Sequence, residues 1–415
     1  MTVLTPVIYA EWVSMAGNAL YVMVVMAVAQ YHSHDGTFWV GITSAVMLMP
    51  PLFSGLFGIA IDAAIERRKH LLMFADAARV LLVFITVFAV KFDAFITIVV
   101  LAGLVSALNA LFGQTFRTWI PSVVPAEKLW QTTGLYQTGN SVAQIVAVAA
   151  GFVAFHWALI TPPLAFDVVT FIISLLTLWL YTGRPSLEAV KAATPKTSTR
   201  NSSFTNLLTE MMAIGRWPFM RILLPLLAIN SVVFLPYAHL LPSWVRDVLH
   251  NKMQLYPGLE AAVVVGALVG NLWWNHWHSK LSLARWIGVS IASTVSGMVL
   301  FVAVPTVPTS IAGLFLIGVG TAIDGVAFSV FLQSNVPNRL LGRVFGVVGM
   351  FSQVGGPLAL ITFAFASGSG TVRPFFAMAP ITFAISAWWI LRWVRQPDLV
   401  RQLGIGEATQ EFGGS

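Results

Sequence analysis

The sequence predicts an all-α membrane protein, with twelve transmembrane helices in two pseudo-symmetric six-helix bundles. Three observations predict it. Hydrophobic residues make up 57% of the 415 and charged residues only 9%, against roughly 25% charged in a water-soluble domain. So few charges cannot cover a water-facing surface, and most of the surface must face lipid. Apolar runs of about twenty residues, enough to cross a bilayer, recur along the chain between short polar turns. The longest polar run, Tyr181 to Trp217, divides these runs into two sets of six.

The first span covers Leu4 to Gln30, with Glu11, Ser14 and Asn18 embedded in it. A turn without Lys or Arg, Tyr31 to Thr37, leads to the second, Phe38 to Ile61, which contains Pro50-Pro51 and a run of small residues. After the charged turn Asp62 to His70, spans three to six cover Leu71 to Val90, Phe95 to Ile120, Leu135 to Phe155 and Pro163 to Tyr181. Spans seven to nine cover Ile222 to Trp244, Leu259 to Trp274 and Trp286 to Val304. Spans ten to twelve cover Ser310 to Phe331, Val344 to Ser367 and Pro374 to Trp393.

The chain therefore divides into an N-terminal bundle (1–181), a linker (182–217), a C-terminal bundle (218–396) and a tail (397–415). The linker is Pro/Ser/Thr-rich and basic through Ser203, the composition of a mobile tether. Phe204, Leu207, Leu208 and Met211 then recur at helical spacing, as in an amphipathic helix on the inner membrane face.

Charge placement gives the orientation. With both termini cytoplasmic, only Lys91, Arg246, Lys252 and Arg373 of the 23 Lys and Arg residues lie outside, and Arg79 sits near the inner end of span three. This is the positive-inside bias, and it accounts for the net charge of +7 without nucleic acid. A repeat supports the count. Val124-Pro125, Leu129 and Gly134 recur 212 residues later as Val336-Pro337, Leu341 and Gly346, and Gly58 falls on Gly270 at the same offset.

Several chemistries lack their residues. The absence of cysteine excludes disulfides and thiol ligands. A Gly-rich phosphate loop with Lys is missing, so ATP drive has no motif. His32, His34 and Asp35 read as a solvated turn rather than a metal site, as do His276 and His278. Met1 to Ile8 carries no basic residue and the first apolar run exceeds signal length, so a cleavable signal peptide is not expected.

Gly55, Gly58, Asp62, Arg67 and Arg68 lie where span two turns into span three. Glycines let the two spans approach, and a short charged turn can grip a neighbouring helix end in one state of a cycle. Together with Asp76 and Arg79 they read as a conformational latch; the alternative is a basic loop obeying the positive-inside rule. Asp76 and Arg79, three apart, share a helix face near the inner interface and read as an ion pair that joins the latch.

A charged Asp at the centre of a span costs on the order of 2.5–3.5 kcal/mol on insertion scales. Asp324, midway along span ten, therefore reads as a proton-coupling group, or else as a protonated Asp bonded to a neighbouring helix. Glu11 is either a second coupling group or interfacial. Asp167 reads as a wet or capping residue at the outer end of span six.

Uncharged polar residues fall on spans one, four, five, seven and eleven. They are Asn18, Tyr21, Asn109, Gln114, Gln137, Asn140, Gln144, Asn230, Tyr237, His239 and Gln353. As a set they suggest a cavity that hydrogen-bonds a substrate; singly, each reads equally well as interhelical glue. Met47, Met49, Phe234 and Trp12 would give that cavity a wall suited to an amphiphile.

The Gly55 to Arg68 turn resembles the loop between the second and third spans of the major facilitator superfamily. LQSNVPNRLLGRVFG (Leu332 to Gly346) resembles one branch of it, which includes macrolide-efflux proteins and the enterobactin exporter. So do SMAGNAL (Ser14 to Leu20), AFDVVTFIISLL (Ala165 to Leu176) and GRW (Gly215 to Trp217). The resemblance covers almost the whole chain. It implies the major facilitator fold, with a site at mid-membrane and alternating access by rocking halves. It also implies secondary export of amphiphilic small molecules, of drug or siderophore type, driven by proton influx across a bacterial-type cytoplasmic membrane. Its partners are then membrane lipid, the substrate and protons, with no cofactor, no nucleic acid and a monomeric state.

Some features depart from the pattern. Asn18 stands where family members often carry Asp, and Ala150-Gly151 stands near where drug antiporters carry Gly-Pro. Gly355-Gly356-Pro357 appears instead in span eleven, and Arg117 lies too near the cytoplasmic end to match the span-four arginine of proton antiporters. The alternative of the same fold is a lipid or lysolipid flippase or an importer. An intramembrane enzyme using Ser293 or Ser296 with His239, or a sensor, has no motif behind it.

Overall fold

The computed structural model describes residues 5–32, 35–53, 61, 67–124, 126–157, 160–182, 218–277, 283–335, 338–366 and 372–394. Gly55, Gly58, Asp62, Val336-Pro337, the linker beyond Thr182 and the tail lie outside them. Within the described residues all regular structure is helical. The first half holds α1 (Thr5–Tyr31), α2 (Gly36–Leu52), α3 (Arg68–Lys91), α4 (Phe95–Val123), α5 (Ala126–His156) and α6 (Thr161–Leu180). The second holds α7 (Pro218–His239), α8 (Leu255–Trp277), α9 (Leu283–Ala303), α10 (Val307–Asn335), α11 (Asn338–Ala366) and α12 (Val372–Val394).

Among the described residues, eight helices are long and apolar enough to cross a membrane, and nine if the bent segment beginning with α7 counts as one. The other three, α2, α5 and α12, contain shorter apolar stretches. Large apolar side chains such as Phe84, Ile96, Phe152, Leu272 and Phe365 stand exposed on these helices. Contiguous exposure of this kind marks a surface meant for lipid or a partner rather than water.

The chain divides into two compact units, one of residues 1–39 and 43–207, the other of residues 40–42 and 208–415. In the first, α1 packs on α5 and α6, and α3 packs on α4 and α6. In the second, α7 packs on α11 and α12, and α9 packs on α10 and α12. The same internal plan thus occurs twice. The 212-residue offset read from the sequence holds for the helices themselves: Phe95 and Val123 bound α4, and Val307 and Asn335 bound α10.

Span seven is not continuous. α7 ends at His239, and the chain resumes as a short turn, Leu241–Ser243, followed by a π-helical turn, Trp244–Val248. Pro242 is the cause, since it has no N–H to donate and its ring crowds the carbonyl one turn earlier. Between α3 and α4 the chain turns tightly. Asp93, between α3 and α4, takes φ 53°, a left-handed geometry that a short polar side chain tolerates better than a branched one. His32 at the end of α1 lies 3.6 Å from the Asp93 carboxylate and stacks on Phe95, with ring centroids 4.0 Å apart.

The second unit has a dense aromatic core. Tyr237, Trp244, Phe301 and Phe376 are all buried. Trp244 stacks on Phe301 at 4.2 Å, and Tyr237 meets Phe376 edge-on at 4.6 Å. Helices there approach closely through glycine. The Gly355 N–H donates to Ser231 Oγ at 2.8 Å, and a Cβ at Gly355 would lie 2.5 Å from the Ala228 carbonyl.

Candidate functional site: a buried charged network in the first unit

α3 places Asp76 and Arg79 on one buried face, one turn apart. Arg68 begins the helix and Lys91 ends it, so Arg79 falls at its midpoint, about 16 Å from the start at 1.5 Å per residue. Asp76 lies three residues closer to the start of the helix. Asp76 is 0% exposed and Arg79 3%.

Arg79 organises the surroundings. Its Nη2 donates to Asp76 Oδ1, and its Nη1 donates to Asn109 Oδ1 on α4 at 2.9 Å. The Asn109 amide in turn donates to Asn18 Oδ1 on α1 at 2.5 Å. Ser174 on α6 donates to the second Asp76 oxygen at 2.7 Å. The guanidinium lies over two rings, Phe112 at 4.2 Å and Phe171 at 4.3 Å. Each such cation–ring contact contributes about 0.5–2 kcal/mol once desolvated. Four helices thus converge on one cation.

Two more carboxyls share its field. Glu11 on α1 and Asp167 on α6 are buried, and the Arg79 charge acts on both. Asp167 Oδ1 accepts a hydrogen bond from Thr170 at 3.3 Å. Gly17 makes room for it, because a Cβ there would fall 2.5 Å from that oxygen. Below the network an apolar layer including Val7, Leu72, Phe116, Trp119 and Leu178 fills the space between the same helices.

The sequence-predicted residues distribute unevenly. Asn18, Asn109, Asp76, Arg79 and Glu11 come together in this network, and Tyr21 is fully buried near Asp167. Asp324 is exposed on α10, and Gln144 is exposed on α5. Asn230, His239, Gln114 and Gln353 are half-buried, and the Asn230 side-chain oxygen makes no hydrogen bond. The side chains of Gln137 and Asn140 lie outside the described residues. Tyr237 belongs to the aromatic core, and its hydroxyl donates to the Phe376 carbonyl at 3.0 Å. Of the latch residues, Arg67 is exposed at the N-cap of α3, and Arg68 is buried beside it.

Three participants escaped the sequence reading. Asp167 is neither wet nor a cap: it is 0% exposed. Phe171 and Ser174 are the others. A signal was present, since Asp167, Thr170, Phe171, Ser174 and Leu178 recur at helical spacing and are all buried. In the second unit, Glu260 on α8 pairs with Tyr256 one turn earlier, again unforeseen.

Comparison with known proteins gives the context. The family model described as Major Facilitator Superfamily matches residues 8–360. Macrolide efflux protein A of Streptococcus pyogenes is 22% identical over 373 residues, covering 85% of this chain and 87% of that protein. Among solved structures, the D-xylose–proton symporter superposes with a TM-score of 0.71 at 12% identity, covering 94% of this chain and 97% of its own. The nucleoside transporter NupG gives 0.68 at 12% identity, with coverage of 95% and 100%. An inward-facing bacterial homologue of the iron transporter ferroportin gives 0.70 at 10% identity, with coverage of 94% and 98%. At such identities the structures establish a shared fold.

Proposed function

We propose that this chain, which belongs to the major facilitator superfamily, exports amphiphilic small molecules across a cytoplasmic membrane by alternating access. Inward proton flow drives the cycle. The two six-helix units rock, and residues 182–217 act as the tether between them.

One observation carries this reading: a guanidinium and three carboxyls buried among α1, α3 and α6. Ionisable groups inside spans are expensive and mark ion or substrate pathways. Apolar packing would hold four helices together without that cost. Coupling to protons needs carboxyls that change protonation out of contact with bulk water, and Glu11 meets that need. Asp324, the carboxyl that the sequence favoured, is exposed on α10 and does not meet that need in this structure. The similarity to Macrolide efflux protein A favours an amphiphilic cargo and outward transport over uptake.

Inside-out vesicles carrying the chain provide the test. With an acid lumen, a fluorescent macrolide or ethidium accumulates inside, and nigericin abolishes the accumulation. Uptake that ignores the gradient would remove proton coupling from the reading. Movement of a labelled lysolipid alone would make the protein a flippase.

A further inference from the structure

The charges of the first unit do not balance. Arg79 is committed to Asp76 through Nη2 and to Asn109 through Nη1. Asp76 has both oxygens engaged, one by Arg79 and one by Ser174. That pair is electrically complete. Glu11 and Asp167 remain, 5% and 0% exposed, and Glu11 Oε2 and Asp167 Oδ2 are buried oxygens without a hydrogen-bond partner.

Every helix packed against Asp167 bears on this count. α1 presents Glu11 and Tyr21, neither of which supplies positive charge. α3 presents Asp76 and Arg79. On α5, Tyr136 faces Glu11, with Arg117 of α4 acting on that tyrosine. Arg68 is buried at the first residue of α3, three turns from Arg79, and Arg79 is the cation acting on both spare carboxyls. Ionised together, Glu11 and Asp167 would leave two uncompensated anions inside membrane-spanning helices. Such groups neutralise instead.

We propose that Asp167 is a second proton-binding site, in addition to Glu11, so that the first unit loads two protons around one fixed Asp76–Arg79 pair. This rests on the proton-coupled reading above. The proton sits on a carboxyl oxygen in the pocket made by Gly17 and Thr170. It leaves when α1 and α6 part there and admit water. The O–H bond breaks, its electron pair stays on the carboxylate, and the water carries the proton away as hydronium. Gly17 is where α1 packs tightly on Asp167, since a Cβ there would fall 2.5 Å from the carboxyl oxygen, so water reaches the group only when that contact opens.

The experiment is infrared difference spectroscopy of the full chain in lipid vesicles, stepping from neutral to alkaline buffer. The reading is the carbonyl stretch of protonated carboxylic acids. The wild type is expected to lose components from both Glu11 and Asp167 on alkalinisation, Asp167→Asn to lack one of them and Glu11→Gln the other. Asp167→Glu keeps a carboxyl and is expected to restore a shifted component, which separates proton binding from a folding defect. An unchanged set of carboxyl components in Asp167→Asn, or no shift in Asp167→Glu, would overturn the proposal. The spectra need no transport. Failure of wild-type vesicles to accumulate ethidium would remove the export reading and leave the Asp167 result standing.

Discussion

Asn109 holds Arg79 and Asn18 on opposite ends of one side chain: its carbonyl oxygen accepts from the guanidinium at 2.9 Å, and its amide donates to Asn18 at 2.5 Å. A single uncharged residue on α4 thereby connects the cation of α3 to α1. Asn109→Ala leaves a charged donor and a partly buried acceptor unpaired. Such orphaning costs about 1–3 kcal/mol, and thermal unfolding in detergent is expected to show the loss as a lowered midpoint.

Arg79→Met removes the cation that balances Asp76. Breaking a buried pair from one side costs about 3–5 kcal/mol. The double variant Arg79→Met with Asp76→Asn removes both charges and is expected to recover most of that loss. A double-mutant cycle on unfolding midpoints checks this; additive single effects would mean that the two residues do not interact.

α11 offers a controlled pair of glycines. A Cβ at Gly355 would press on the Ala228 carbonyl and on Ser231 Oγ, each at 2.5 Å, whereas one at Gly349 meets nothing within 4 Å. Gly355→Ala is expected to destabilise by about 1–3 kcal/mol through overpacking. Gly349→Ala is expected to be neutral or to stabilise by up to about 1 kcal/mol through helix propensity. Unfolding midpoints of the two variants measured side by side decide it.

Tyr237 tests packing against substrate contact. Its hydroxyl is spent on the Phe376 carbonyl inside the aromatic core. Tyr237→Phe is expected to lower stability by about 0.5–1.5 kcal/mol while leaving the substrate concentration for half-maximal vesicle transport unchanged. A large change in that concentration would return Tyr237 to the cavity wall.

The helices were legible because twenty-residue apolar runs leave few alternatives, and the repeat was legible because Gly and Pro mark span ends. The break in span seven was not, since the run from Ile222 to Trp244 is long enough for one span despite Pro242. Asn18, Asn109 and Glu11 stood out as polar residues in apolar surroundings. Their convergence on Arg79 did not, because hydropathy ranks residues along one chain and does not say which helices adjoin. Asp167 was misplaced for that reason: six residues from the start of α6 suggests a wet end, until α1 and α3 are packed against it. The packing of the Tyr237 ring against Phe301 and Phe376 was likewise out of reach of a reading that saw only its polar tip.

The repeated plan puts α1, α3 and α6 in the roles that α7, α9 and α12 fill in the second unit. Yet the first triad holds Arg79 with its carboxyls, while the second, with Trp244 from the turn after α7, holds Tyr237, Phe301 and Phe376. The halves are copies in outline and not in content. A chimera joining two first halves would carry two sets of surplus acids and no aromatic keystone; one joining two second halves would lack the Arg79 charge centre altogether. Each half carries a buried cluster that the other lacks.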